Sequence, residues 1–397
     1  MQRYKEKLHA RFQEVYNELN PQQKTAVDTI DGPVMVIAGP GTGKTQILAA
    51  RIGKILLETD ELPENILCLT YTDAGVIAMR NRLRKLIGAD AYKVNIHTFH
   101  SFCNEVIQDN LYYFEKTSLN PISDLEVIQL LKNLIDGFPQ GHPLKRYRGD
   151  VYFEINNLKN LFSAMKKEGW TPEFIAQKTA EYLSQIESDN SNKDFFYQTS
   201  RKGKYEKGDY KPDYYLEVDR MTKLVAAANE FPRYQQLMKK INRYDFDDMI
   251  NWVIDAFENN EGILAQYQEK YHYLLVDEYQ DTSNTQNRLV QLLIGFWDVP
   301  NIFVVGDDDQ SIFRFQGANI SNMKGITRRY INALTKVILT TNYRSTQPLL
   351  DVSRSVIENN RERLINDVEL GKLNKDLVSG NSKIPGATTA ATGNYSL

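Results

Sequence analysis

The sequence predicts an α/β fold built on a parallel sheet and interrupted by a helical insertion. Three features predict it: short apolar runs of strand length, a glycine-rich loop between one such run and a helical pattern, and a long middle stretch with helical periodicity alone. Pro33–Ala38 is the first apolar run, followed by the glycine-rich loop and by helical spacing from Lys44 to Leu57. Comparable runs recur at Ile66–Thr70, Tyr273–Val276, Ile302–Val305 and Val337–Thr340, each ending in a polar or glycine-containing cluster. Continuous rather than alternating apolarity indicates strands covered on both faces, as in parallel sheets alternating with helices. Ligands of such sheets sit at the carboxyl ends of the strands, where these polar clusters lie.

The stretch from Asn104 to Asp245 has another pattern. Leu125–Ile135 is amphipathic, and Ile155, Leu158, Leu161, Phe162 and Met165 share one helical face. No strand pattern interrupts it, so it is predicted as a helical insertion in the α/β core. Gly380–Leu397 is small and polar and is predicted as a loose tail.

A chain of 397 residues predicts two or three domains. The 42% hydrophobic and 25% charged content is ordinary for a globular protein. A net charge of −3 argues against a generally basic nucleic-acid binder, but not against single-strand binding through aromatic stacking and a local groove. The two cysteines, Cys68 and Cys103, make neither a disulfide framework nor a zinc site, and a reducing cytoplasm is the simple expectation. No apolar run approaches the roughly 18–20 residues of a membrane span, and the polar N-terminus is not a secretory signal.

The chemistry begins at Ala38-Gly39-Pro40-Gly41-Thr42-Gly43-Lys44-Thr45. Glycines let the backbone wrap so that its N–H groups point at phosphates. Lys44 is placed to reach β- and γ-phosphates, and Thr45 to ligate Mg²⁺. The first position is Ala38 rather than glycine, a mild steric change. Such a site needs an acidic pair at the end of another apolar strand, and Asp277-Glu278 supplies it. Asp277 suits a magnesium ligand through water, and Glu278 suits the base that positions the attacking water. Alone, that pair is more often a solvated strand end; the phosphate loop gives it meaning.

With these motifs in order, the chain resembles superfamily 1 DNA helicases of the UvrD/Rep/PcrA group, from about Leu19 to about Arg363. Leu19–Gln23 resembles their adenine-reading Q motif, with Gln23 in the glutamine position. Thr70–Asp73 and His97–His100 are similar to motifs Ia and Ib, which line the single-strand track. Val304–Ser311 resembles motif III, in which Gln310 would sense the γ-phosphate. Thr341–Thr346 resembles motif IV, in which Tyr343 would stack on adenine and Arg344 would meet the γ-phosphate. The likeness implies ATP and Mg²⁺ as the nucleotide and metal. It implies DNA contacts at Tyr71, Thr98, Phe99, His100, Phe313 and Phe315. Four positions depart from the family: Gln46 replaces an arginine beside the adenine, Phe313 and Phe315 replace a Tyr-x-Trp pair, and Asp73 replaces a commoner asparagine. Phe99, Phe102, Phe313 and Phe315 could simply be core aromatics, and His100 a hydrogen-bonded structural histidine. The tract Arg201–Lys211 reads as a solvated loop, with a phosphate contact as the alternative.

The resemblance implies a RecA-like core over 1–105 and 226–335, a helical subdomain over 106–225, the start of a second RecA-like core over 336–379, and a tail from 380. It implies ATP-driven 3′-to-5′ translocation on single-stranded DNA, with unwinding at single-/double-strand junctions, in repair or replication. No counterpart of motifs V and VI is found, so the expectation is a truncated motor. The alternative is an ATP- and DNA-binding fragment with little or no turnover. A phosphate-loop ATPase acting on protein is disfavoured by Thr98–His100 and Phe313/Phe315.

Overall fold

The computed structural model describes residues 2–114, 120–311, 320–360, 363–364 and 374–380. The chain divides into two compact units, one of Met1–Gln108 with Trp252–Leu397 and the other of Asp109–Asn251.

The first unit is built on a six-stranded parallel sheet. Its strands are β1 (Val34–Ala38), β2 (Ile66–Thr70), β3 (Asn95–Thr98), β4 (Tyr273–Val276), β5 (Ile302–Gly306) and β6 (Thr335–Leu339), in the order β3-β2-β4-β5-β1-β6. β1, β2, β4 and β5 are buried at every position, as their unbroken apolarity requires. Val36 and Ala38 pack with Ile47, Leu48 and Ile52 of the helix Lys44–Glu58 and with Met79 and Leu83 of the helix Asp73–Ile87. A buried cation braces this layer. Arg51 is 1% exposed, donates to the carbonyls of Ala26, Thr29 and Ile30, and lies 4.6 Å over the Phe303 ring.

Two expectations are corrected here. β3 was not expected as a strand; its sequence alternates polar and apolar residues over four positions, and it forms the sheet edge beyond β2. β6 is not the start of a second core. It pairs in parallel with β1 from Val34↔Thr335 to Ala38↔Leu339 and completes the first sheet. A separate two-stranded sheet follows, joining β7 (Thr341–Asn342) to β8 (Val378–Ser379). The expected tail beyond Gly380 lies outside the described residues.

The second unit is helical, with helices at Asp124–Asp136, Ile155–Glu168, Pro172–Ser188, Pro212–Asn229 and Phe231–Lys240. The expected faces bury: Leu131 and Leu134 from the first helix pack with Leu158, Phe162 and Met165 from the second. Sequence signals mark the helix starts. Ser123 and Glu126 form a reciprocal capping box at Asp124–Asp136, Thr171 caps Pro172–Ser188 through the Phe174 N–H, and Pro172 and Pro212 occupy first-turn positions. The unit extends further than the expected boundary at 225. Ala227, Ala228, Phe231, Tyr234 and Met238 bury in this same core, because the apolar spacing of that stretch belongs to helices that complete it. Among the described residues, no helix is long and apolar enough to cross a membrane.

Candidate functional site

Strand order decides which loops meet. β5 lies between β1 and β4, so the loops leaving the carboxyl ends of these three neighbours converge. They carry the phosphate-loop sequence, the Asp277-Glu278 pair and Asp307–Gln310.

The phosphate loop begins as β1 ends at buried Ala38 and turns through Gly41 and Gly43, both at positive φ (71° and 91°). Side chains at these glycines would be strained in any case, and their surroundings forbid them as well. A Cβ on Gly41 would lie 2.7 Å from the Arg344 Cβ; one on Gly43 would lie 2.9 Å from the Gln23 amide nitrogen. Gly39 is closed off by Leu377, whose methyl group would lie 2.8 Å from an added Cβ. Thr42 is buried, and its hydroxyl donates to the Gly39 carbonyl at 2.8 Å. The helix Lys44–Glu58 starts at Gly43 with no side-chain cap; the Gln46 N–H donates to the Gly43 carbonyl at 2.9 Å, and the N–H groups of Lys44 and Thr45 before it are placed to meet an anion. Thr45 and Gln46 are half-buried in that turn.

Lys44 and Glu278 stand 234 positions apart in sequence, yet the Lys44 Nζ donates to Glu278 Oε2 at 2.5 Å. Sequence reasoning named both residues but not this ion pair. Glu278 itself is held in the left-handed region, φ 47° and ψ 46°, an uncommon conformation for a residue with a side chain. Asp277, one residue earlier, is 7% exposed and accepts the Glu278 N–H at 3.0 Å. Burial, reinforced by the Glu278 charge, pushes its carboxyl up to about 6 despite Lys44 nearby. The same two causes push Asp281 up to about 6, and its buried Oδ1 has no hydrogen-bond partner. Carboxylates crowded into a buried corner and short of positive charge are a donor set that fits a hard divalent cation.

Gln280 links this pair to the loop after β5. Its amide nitrogen donates to Glu278 at 2.9 Å and Asp281 at 3.1 Å, while its oxygen accepts the Asp307 N–H at 2.9 Å. The approach requires a glycine at 306, where a Cβ would lie 2.7 Å from that oxygen. Gln310 donates from its amide to Asp307. Sequence reasoning missed what stands opposite: Lys375, 2% exposed at its side chain, is paired with Asp307, with Asp308 at 2.6 Å and with Asp309 at 2.9 Å. Arg363 makes a bidentate pair with Asp309, at 2.7 and 2.9 Å. Nothing near Lys375 in sequence marks it; only the aspartate run hinted that a cation was needed.

The remaining predicted residues divide. Gln23 is buried and its amide is engaged, accepting the Asn20 N–H and donating to the Thr42 carbonyl at 2.8 Å, so here it braces the phosphate loop. Asn342 donates to the Pro40 carbonyl, and the Tyr343 N–H donates to the Gly41 carbonyl at 2.9 Å. Tyr343 is exposed and its hydroxyl accepts from Asn20; Arg344 is exposed beside Gly41. Tyr71 is exposed at the end of β2. Phe99, by contrast, is 2% exposed, and Thr98 is buried with its hydroxyl bonded to Ser101, so neither presents the surface expected of a base contact. His100 is half-buried on the first turn after β3. Phe313 and Phe315 lie outside the described residues. Asp73 has a structural account: it is the first-turn acid of the helix Asp73–Ile87, where a negative charge favours the helix dipole.

Comparison with known proteins adds to this geometry. Residues 19–331 match the family described as the UvrD/REP helicase N-terminal domain. The chain is 32% identical over 353 residues to a protein named ATP-dependent DNA helicase PcrA from Staphylococcus aureus (strain Mu50 / ATCC 700699), covering 87% of this chain and 41% of that protein. A protein of the same name from Bacillus subtilis (strain 168) is 31% identical over 349 residues, with 87% and 40% covered. One from Leuconostoc citreum is 32% identical over 356 residues, with 88% and 40% covered. The chain thus spans about two fifths of the length of these relatives. A family match over most of the chain, together with a sheet that brings the phosphate loop to the acidic pair, makes this chain a member of the UvrD/REP helicase N-terminal domain family.

Proposed function

We propose that this chain binds ATP with Mg²⁺ at the carboxyl ends of β1, β4 and β5, and hydrolyses it in support of 3′-to-5′ movement along single-stranded DNA, including at junctions with duplex, in repair or replication. The observation that carries the reading is the meeting at 2.5 Å of Lys44 and Glu278, which lie on either side of the helical insertion in sequence. In this reading the turn from Gly39 to Gly43 and the uncapped helix start cradle the phosphates, and Lys44 exchanges Glu278 for phosphate oxygens. Thr45 and Asp277 would hold Mg²⁺, which when bound supplies positive charge against the developing negative charge of phosphoryl transfer. Glu278, released by Lys44, positions the water and takes its proton. Gln310 reads the γ-phosphate, Arg344 approaches it from the motif IV side, and Tyr343 with Gln23 and Gln46 borders the base. For DNA, the contacts are assigned to Tyr71 and His100 and, on the family likeness alone, to Phe313 and Phe315, while Thr98 and Phe99 are buried.

The test is phosphate release by the purified chain, with and without single-stranded DNA, beside titration of a fluorescent ATP analogue and strand displacement from a tailed duplex. DNA-stimulated release supports the full reading. Binding of ATP·Mg²⁺ and single strands without release selects the alternative, a binding module with little turnover. Absence of magnesium-dependent ATP binding sinks both.

A further inference from the structure

We propose that Lys375 is a positioning residue for γ-phosphate recognition, fixing Gln310 through their shared partner Asp307; this rests on the reading of Gln310 given above. Lys375 lies beyond the stretch matched by the family, and it touches no reacting group.

Asp307, Asp308 and Asp309 place three carboxylate oxygens within 4.8 Å of one another, two of the residues fully buried. Such a cluster is unstable without a cation. In this chain the cation is covalently attached: the Lys375 ammonium reaches all three residues. Burial alone would lower its proton affinity, but the three carboxylates outweigh burial and raise it, so the ammonium stays charged. The two oxygens of Asp307 are then divided. Oδ1 takes Lys375 and the Asp309 N–H; Oδ2 takes the Gln310 amide. The carboxylate cannot rotate to serve Gln310 differently without giving up Lys375. From the other side, the Asp307 N–H is held by Gln280, which also holds Glu278. One continuous polar chain thus joins Lys44, Glu278, Gln280, Asp307 and Lys375.

The segment that carries Lys375 is itself seated on the phosphate loop. Leu377 covers Gly39, and the Val378 and Gly380 N–H groups donate to Thr340 and Asn342, two residues from Arg344. Arg363 and the Leu364 N–H complete the enclosure by binding Asp309 and Asp308. Lys375 therefore sets the sensor side chain and anchors the strand that lies against the phosphate cradle.

The experiment compares affinities for ATPγS, a slowly hydrolysed ATP analogue, and for ADP, each with Mg²⁺, in the full chain. Gln310→Ala, Lys375→Met and their combination are measured beside wild type. Loss of one well-placed hydrogen bond corresponds to about a five- to tenfold change. Either single variant should lower the preference for ATPγS over ADP by that factor, and the double variant should lower it no further, because both act through one contact. A Lys375→Met chain that keeps its preference, or losses that multiply in the double variant, overturns the proposal. Should Lys375→Met fail to fold, amide hydrogen exchange of wild type decides. Coupling is reciprocal, so ATPγS must slow exchange at residues 374–380 more than ADP does; equal protection overturns the proposal. A wild-type chain that binds both nucleotides but prefers neither would overturn the sensor role of Gln310 itself.

Discussion

The ion pair between Lys44 and Glu278 makes an unusual prediction for the substitution Glu278→Gln. Glutamine keeps the size and the bond to Gln280 but removes the charge that holds Lys44. The pair is close, 2.5 Å, and unequally exposed, 11% for the lysine side chain and 34% for the glutamate. With one partner a third exposed, solvent screening limits such a pair to about 1 kcal/mol. ATP must displace Glu278 to take Lys44, so removing that competitor should tighten ATP binding by about fivefold. Hydrolysis should fall by about 10²–10⁴, the usual worth of a positioned base. Lys44→Ala should act in the opposite sense on affinity. It removes a charge-assisted contact of about 1.5–3 kcal/mol to the phosphates, which is roughly ten- to a hundredfold weaker binding. The assay is titration of a fluorescent ATP analogue into each variant with Mg²⁺, followed by phosphate release. Parallel loss of affinity in both variants would refute the reasoning, because it would mean that Glu278 holds the site together rather than holding Lys44 in reserve.

Five further outcomes are expected. Magnesium-dependent ATP binding should weaken between pH 7.5 and 5.5, as Asp277 and Asp281 take up protons near 6, and Glu278→Gln should move the midpoint to lower pH by removing a charge that raises both. The stability term has the other sign: carboxyls raised from 3.8 to about 6 favour the fold fully below 3.8 and lose that contribution as pH rises through about 6, so metal-free melting temperatures should climb on acidification through that window. Gly41→Ala should abolish tight nucleotide binding while leaving the helical unit's melting unchanged, because the new Cβ meets Arg344 at 2.7 Å on a positive-φ backbone; wild-type affinity would contradict it. Arg51→Ala should destabilise the first unit by about 3–5 kcal/mol, since three carbonyls lose a buried donor, and an unaltered thermal transition would show that water replaces it. Phe315→Ala should lower single-strand affinity about tenfold by loss of base stacking; an unchanged fluorescence titration would assign that ring to the core.

What could be read from the sequence was what is local. Four of the six strands are continuous apolar runs, and Gly41 and Gly43 announce a backbone that only glycine adopts readily, so β1, the loop and the following helix were legible together. β3 was not, because an edge strand with alternating polarity needs its neighbour to be recognised. β6 was legible as a strand but not as a neighbour of β1, since sheet order is a property of pairing between distant segments. The base-contact residues show the same limit. Motif order brought Phe99 and Tyr71 to one region, yet a single helical turn sends Phe99 inward while Tyr71 stays exposed. Lys375 was invisible for the plainest reason: a lone lysine in a polar stretch is normally solvated, and only tertiary structure could bring three aspartates to it.

The charge balance at the site explains why a metal belongs in the reading. Asp277, Glu278, Asp281, Asp307, Asp308 and Asp309 bring six carboxylates to the loops after β4 and β5, against Lys44, Arg344, Arg363 and Lys375. The two latter cations are committed to the aspartates after β5, and Lys44 is committed to Glu278. A triphosphate entering alone would meet Asp277 and Glu278 with little free positive charge, in a corner where burial strengthens repulsion. With Mg²⁺ bound, the balance would reverse: Asp277 and Asp281 would hold the cation, Lys44 would turn to the phosphates, and Glu278, still bonded to Gln280, would be freed of the lysine to act on water. The ion pair and the raised carboxyls are therefore two sides of one arrangement. On the proposed reading, the lysine and the base hold one another until nucleotide and metal would separate them.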